Sequence, residues 1–228
     1  WEFGEPDWDL TKYFMLFGVA EDHGSNPIKI GIGKLKARGA KVVAINPVRT
    51  GYGAVADEWL GITPGTDGLF VGALIHELFR TSQIDLDYLV RYTNAPWLVI
   101  DNPGGADDGL FARVKHQVVA FDKVTGKLVD AHEAGIVPAL SGTFELPNGR
   151  KAVPVFELMA RRFLADEWKP ENVAEATGIP AETTRRIAAE LAEVAFREEV
   201  VLDIPWTDWA GRRQEKMIGR PISMHAMR

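Results

Sequence analysis

Three short polar stretches in this chain each follow an apolar run, and their residue types suit the binding of a nucleotide. Gly18 begins the first, which holds Glu21, Asp22, His23, Gly24, Ser25 and Asn26. The second is Asn46-Pro47-Val48-Arg49-Thr50. The third is Pro64-Gly65-Thr66-Asp67, which opens a helical pattern. Asn46 can both donate and accept hydrogen bonds. Arg49 supplies a fixed cation that suits phosphate. The third stretch offers the free amides of a helix N-terminus together with the Asp67 carboxylate. A carboxylate accepts two parallel hydrogen bonds from the N1–H and exocyclic amine of guanine. The ordered set therefore favours a guanine over an adenine nucleotide.

Other chemistries are disfavoured by the same residues. The dinucleotide fingerprint needs three glycines at fixed spacing after the first strand. Here Gly18 is followed by Glu21 and Asp22, with only Gly24 nearby, and Gly31 and Gly33 fall inside the helix. An acidic residue that would hold ribose hydroxyls after the second strand is replaced by Asn46. Ordinary NAD binding does not fit. No nucleophile elbow, Walker loop or HExxH pattern occurs. The histidines (His23, His76, His116, His132, His225) form no spaced metal pair, and His76 reads as a packed or surface residue of an apolar helix. The tryptophans read as core or interface residues. Arg212, Arg213, Arg220 and Arg228 make a cationic tail that either faces an anion or is solvated.

The elements that must position these loops come from the apolar pattern. Tyr13–Gly18 is a continuous apolar run, as expected of a strand buried on both faces of a parallel sheet, and Lys41–Ile45 is the second strand. Between them Ile28, Ile32 and Leu35 share one helix face, and Gly39 ends that helix. Arg49 to Gly53 reads as a flexible loop. Glu58–Ile62 is a short strand, and Phe70, Leu74 and Leu78 mark the helix after Asp67. A short helix is expected at Leu86–Tyr92 and a strand at Trp97–Ile100. Two hairpins follow, Gln117–Phe121 with Lys127–Ala131 and a second around Pro147-Asn148-Gly149. Helices are expected at Val155–Leu164, Glu171–Ala176 and Ala181–Phe196, the last with Ile187, Leu191 and Val194 inward and Arg185, Arg186 and Glu190 outward. Glu199–Ile204 reads as a further strand of the parallel sheet, and the basic, aromatic tail shows no helical period.

The expectation is an α/β, Rossmann-like fold: a mostly parallel sheet flanked by helices, with a β-hairpin excursion. Its parts are a nucleotide-binding β-α-β portion (1–100), a hairpin-rich insertion (101–154), and returning helices and strand of the same domain (155–228). The chain has 228 residues, 46% hydrophobic and 25% charged, so a packed core is expected. A net charge of −6 argues against a general nucleic-acid or membrane-surface binder. No apolar run approaches the roughly 20 residues of a spanning helix. Without cysteine the sequence forms no disulfide and ligates no iron–sulfur cluster. It starts at Trp1 and stops within SMHAMR, so a segment of a longer polypeptide, truncated at its C-terminus, is expected.

The stretches FGVAEDHGSNP, GAKVVAINPVRTGYGAVADEWLGITPGTD, ATGIPAETTRRIAAELA and GRPISMHAMR resemble the molybdenum enzymes of the dimethyl sulfoxide reductase (molybdopterin oxidoreductase) family. The resemblance covers nearly the whole chain. It implies a catalytic-subunit domain that holds the guanosine half of a bis(molybdopterin guanine dinucleotide) cofactor with molybdenum. The implied cofactor contacts are Gly18, Glu21, Asp22, Ser25, Asn46, Pro47, Arg49, Gly65, Thr66 and Asp67. His225 and Arg228 are the implied approach to the metal pocket, where an arginine would hold an anionic substrate. A 4Fe-4S cluster and the metal ligand would belong to an N-terminal region absent here, leaving this segment inactive by itself. Many relatives have Asp-Pro-Arg after the second strand, whereas Asn46-Pro47-Val48 puts the arginine one position later, at Arg49. The region after the first hairpin looks most like sulfite dehydrogenases and polysulfide or thiosulfate reductases, which implies two-electron redox of a small sulfur-containing substrate. The implied partners are the rest of the same polypeptide, a membrane-anchor subunit and an iron–sulfur electron-transfer subunit, with no nucleic acid and no direct membrane insertion. A cytoplasmic, membrane-associated setting is expected. The competing reading of the residues is a non-catalytic nucleotide-binding module on the same frame.

Overall fold

The computed structural model describes residues 6–18, 27–49, 51–208 and 211–226. Its contacts divide the chain into two compact units, Trp1–Gln83 with Asp166–Arg228, and Ile84–Ala165.

The first unit begins with the strand β1 (Tyr13–Phe17), the helix α1 (Pro27–Ala37) and the strand β2 (Lys41–Ile45). A short helix, α2 (Tyr52–Val55), stands where the sequence suggested a flexible loop. Tyr52 is the reason, because its ring is buried in the core beneath α1 and anchors the turn. Then come β3 (Glu58–Leu60) and α3 (Asp67–Arg80).

The second unit holds α4 (Leu86–Tyr92), β4 (Leu98–Ile100), β5 (Arg113–Val114), β6 (Gln117–Asp122), β7 (Lys127–Asp130), β8 (Phe144–Glu145), β9 (Lys151–Pro154) and α5 (Val155–Phe163). Both expected hairpins form, β6 with β7 and β8 with β9. β4 pairs antiparallel with β9, and Leu98, Ile100, Val119, Leu146 and Ala152 fill a core of their own.

The chain returns to the first unit with a short 3-10 turn (Asp166–Trp168), α6 (Pro170–Thr177) and α7 (Ala181–Arg197). The strands β10 (Val200–Leu202), β11 (Trp206–Thr207), β12 (Arg213–Gln214), β13 (Met217–Gly219) and β14 (Ile222–Ala226) follow.

The central sheet has the order β14-β1-β2-β3, with every pairing parallel. One face packs Tyr13, Met15, Val43, Ile45 and Leu60 against Phe70 and Leu74 of α3 and Ile187 and Leu191 of α7. The other packs Phe14, Leu16 and Val42 against Ile32 and Leu35 of α1. This two-sided burial is why β1, and β2 after Lys41, read as unbroken apolar runs. Trp8 lies against α1 at Gly31, where an added Cβ would come within 2.3 Å of its ring.

The expected parallel strand at Glu199–Ile204 is corrected. β10 is antiparallel to β13 in a separate two-stranded sheet, and Val201 is 49% exposed, so that strand is never buried on two faces. The strand completing the parallel sheet is instead β14, from the tail that showed no period. No helix among the described residues is long and apolar enough to cross a membrane.

Candidate functional site

Parallel register sets where the loops leave the sheet. Phe17 stands opposite Ile45, and Ile45 opposite Leu60, so Gly18, Asn46 and Gly61 emerge at one edge. Each loop is tied to its neighbour as it leaves. The Gly18 amide donates to the Ile45 carbonyl at 3.0 Å, and the Asn46 amide to the Leu60 carbonyl at 3.1 Å. The Trp59 indole N–H donates to the Asn46 carbonyl at 2.9 Å. Gly18 has φ 59°, a left-handed conformation that favours glycine. Pro47, Val48 and Arg49 are exposed beyond this anchor. Arg49 forms no ion pair with an acid among the described residues.

The third loop reaches α3 through a turn. Gly65 has φ 81°, with open space where a Cβ would stand. The Thr66 hydroxyl donates back to the Thr63 carbonyl at 2.7 Å, so it does not cap the helix that follows. Thr63 is itself held by its amide on the Thr177 carbonyl at 2.9 Å. Asp67, half-buried, occupies the first position of α3, where the helix dipole favours a carboxylate. An uncapped N-terminus leaves first-turn amides available to an outside acceptor.

His225 lies on β14 opposite Leu16, one residue short of the strand's end, and is half-exposed. It stands on the face shared with Leu16, at the same end of the sheet as Gly18 and Asn46. Gly18, Asn46, Pro47, Arg49, Gly65, Thr66 and Asp67 thus all follow the C-terminal ends of parallel strands. Glu21, Asp22, Ser25 and Arg228 lie outside the described residues. Among the described residues no group of three or more His, Asp or Glu side chains is placed to hold a metal.

Among the described residues the arginines of the cationic tail are paired. Arg212 reaches Asp208 at 2.8 Å, Arg213 reaches Glu215 at 3.3 Å and Arg220 reaches Glu199 at 3.0 Å.

At the opposite end of the sheet sits a cluster that sequence reasoning missed. Lys41 bonds Glu190 at 2.5 Å and approaches Glu58 at 3.1 Å. Arg186 donates to Glu190 at 2.7 Å and to Glu58 through both terminal nitrogens. Burial opposes ionisation of Glu58 and Glu190. Hydrogen bonds from Arg186 and Lys41 outweigh it and hold both carboxyls below their ordinary range. Burial, with the Glu190 charge added, pushes the Tyr13 hydroxyl far up. A cleft of about 430 Å³ beside them is lined by Thr11, Lys12, Tyr13, Arg38, Lys41 and Glu190 among others. Arg186 and Glu190 were expected to face solvent, and only the fold shows that their partners are on β2 and β3.

No family model matches the chain. It is 42% identical, over its full length, to a sulfite dehydrogenase subunit of Allochromatium vinosum, and covers 24% of that protein. It is 27% identical over 82% of its length to the perchlorate reductase alpha subunit of Dechloromonas aromatica, again covering 24% of the relative. Among solved structures it matches acetylene hydratase from Pelobacter acetylenicus with a TM-score of 0.46 and 18% identity, over 84% of this chain and 18% of that one. That structural likeness is too slight to bear on function. The chain belongs to the molybdopterin oxidoreductase family. It spans about a quarter of the length of these two curated relatives.

Proposed function

We propose that this chain forms the guanosine-binding part of a molybdenum oxidoreductase catalytic subunit, on a bis(molybdopterin guanine dinucleotide) cofactor. The observation that carries the reading is the parallel register, which starts the loops after β1, β2 and β3 at one edge. The residues fit the group. Gly18 and Gly65 present backbone without a Cβ in left-handed conformations, and α3 begins uncapped. Asp67 would accept the paired donors of the guanine edge, Asn46 would bond the ribose, and Arg49 would face the pyrophosphate. Glu21, Asp22 and Ser25 belong to the same proposed grip. His225 and Arg228 would approach the metal pocket, with Arg228 holding an anionic substrate.

The cofactor, when bound, supplies the two-electron redox chemistry. What this chain adds is binding and orientation: a rigid sheet edge, a helix N-terminus and fixed charges. The relative named a sulfite dehydrogenase makes a small sulfur oxyanion the proposed substrate class. The whole enzyme would carry a 4Fe-4S cluster outside this segment and work with an electron-transfer partner subunit.

The test is metal and nucleotide analysis of the full-length native protein. Molybdenum accompanied by GMP after acid hydrolysis is expected. A free bound nucleotide without molybdenum would overturn the reading in favour of a non-catalytic nucleotide module.

A further inference from the structure

Trp59 occupies a slot cut for it at the edge where the candidate loops begin. Its neighbours across that slot are Gly53 of α2 and Gly61 just after β3. A Cβ at Gly61 would stand 2.7 Å from Cη2 of the indole, and one at Gly53 would stand 3.2 Å from Cδ1. Neither glycine has a positive φ, so the backbone does not require glycine at either position. Space for the ring does. The separations are well inside the roughly 3.5–4.0 Å optimum for carbon contacts.

The slot is indole-sized: Gly61 meets the far six-membered ring (Cη2, Cζ2, Cζ3) and Gly53 meets Cδ1 at the other end. The indole adds one N–H, and that N–H is given to the carbonyl of Asn46, the residue at which the chain turns out of β2. The Asn46 amide is already bound to Leu60. Both backbone groups of Asn46 are therefore held by β3. The Val48 carbonyl lies 3.6 Å from the Cβ position of Gly53, so the loop's inner side rests on α2 while Pro47, Val48 and Arg49 face outward.

We propose that Trp59 is the positioning residue of the Asn46–Arg49 loop: its indole N–H fixes where Asn46 and Arg49 meet the bound nucleotide. It touches no ligand itself and acts through the Asn46 backbone. The proposal rests on the guanosine-binding reading given above.

The experiment uses full-length molybdenum enzyme carrying Trp59→Phe, with Gly61→Ala as a second variant that displaces the indole without altering it. Two quantities are measured: the rate at which molybdenum and GMP leave the enzyme in mild denaturant, and the Tm of protein made in a host unable to make the cofactor. Trp59→Phe is expected to release both about fivefold faster, the factor that loss of about 1 kcal/mol brings. The Tm of the cofactor-free protein should fall modestly, because the indole N–H bond and part of the ring packing are lost there as well. Gly61→Ala should speed release in the same direction. Release at the wild-type rate by Trp59→Phe overturns the proposal, and so does equally fast release from Arg186→Met, which lowers stability at the opposite edge of the sheet and would mark Trp59 as merely structural. Absence of GMP from the wild-type enzyme is a separate result that strikes the guanosine reading itself.

Discussion

The Tyr13 hydroxyl donates to Glu190 at 2.9 Å, joining the first strand of the sheet to α7 across 177 positions of sequence. Glu190 is one corner of a closed ring of charge: Lys41, Glu58, Arg186 and Glu190 each touch the next. The ring fastens α7 to β2 and β3 at the N-terminal edge of the sheet, opposite the candidate loops.

Removing Arg186 tests that fastening. Arg186→Met leaves the Glu58 and Glu190 carboxylates with Lys41 as the remaining cation of the ring, the Tyr13 hydroxyl still donating to Glu190. The arginine side chain is 44% exposed, so solvent screens part of the loss. A cost of about 1 kcal/mol is expected, read as a lower urea midpoint with an unchanged slope. An unmoved midpoint would mean that the ring is decoration.

The ring also sets a pH window. Glu58 and Glu190 have folded pKa values below the ordinary 4.5, so their contribution is complete above that value and is lost as pH falls through the folded pKa. Tyr13 is shifted the other way, above its ordinary 10.0, so its contribution is present below pH 10 and drains away as pH rises beyond it. Stability from these groups should be level between about pH 4.5 and 10 and fall on both sides. Chemical denaturation across pH measures it. Glu190→Gln should flatten the acid limb, and Tyr13→Phe the alkaline one.

Asp122 makes a sharper acid prediction in the second unit. Its carboxylate accepts from the Thr125 hydroxyl at 2.7 Å, the Val137 amide at 3.0 Å, and the Thr125 and Val124 amides at 3.0 and 3.3 Å. The Thr125 hydroxyl, then the Val137 amide, bring its pKa down to about 2. Asp122→Asn replaces one acceptor oxygen with an NH₂ that meets N–H donors head-on. Amide exchange at Thr125 and Val137 should quicken by roughly tenfold or more, as local opening becomes easier. Protection at Phe70 and Leu74 in the first unit should not change.

Gly72 predicts a steric failure. It lies on the buried side of α3, and a Cβ there would fall 2.1 Å from Cε3 and Cζ3 of Trp168. Gly72→Ala gains helix propensity yet must push the indole out of place. Overpacking of this kind costs about 1–3 kcal/mol, so net destabilisation is expected along with a shift in tryptophan emission. A stabilised variant would mean that Trp168 moves aside freely.

How much was legible follows from burial. YFMLF and the VVAI that follows Lys41 are buried on both faces, so their side chains are apolar and the strands could be read directly. ISMHA forms an edge strand with Met224 57% exposed, so its residues carry no such mark. VVL looked like a parallel strand because three β-formers in a row fit either kind of sheet. The loops at Asn46 and Gly65 could be found because each follows an apolar strand. Trp59 could not be linked to Asn46, because the 13 positions between them close only through the β2–β3 register. The ring of Lys41, Glu58, Arg186 and Glu190 was hidden for the same reason.

Asp67 carries the last prediction. A carboxylate presents two acceptors to the paired donors of guanine, and Asn presents one acceptor and one clashing donor. Asp67→Asn also gives up the favourable charge at the start of α3, worth about 0.3–1 kcal/mol. Lost pairing with a charged acceptor adds about 1.5–3 kcal/mol. The full-length variant should therefore retain less than a tenth of the wild-type GMP and molybdenum after gel filtration in mild denaturant. Its cofactor-free stability should drop only by the helix contribution. Full retention of GMP by Asp67→Asn would remove this residue from the nucleobase contact and leave the Asn46–Arg49 loop and the α3 amides to hold the nucleotide by its ribose and phosphates.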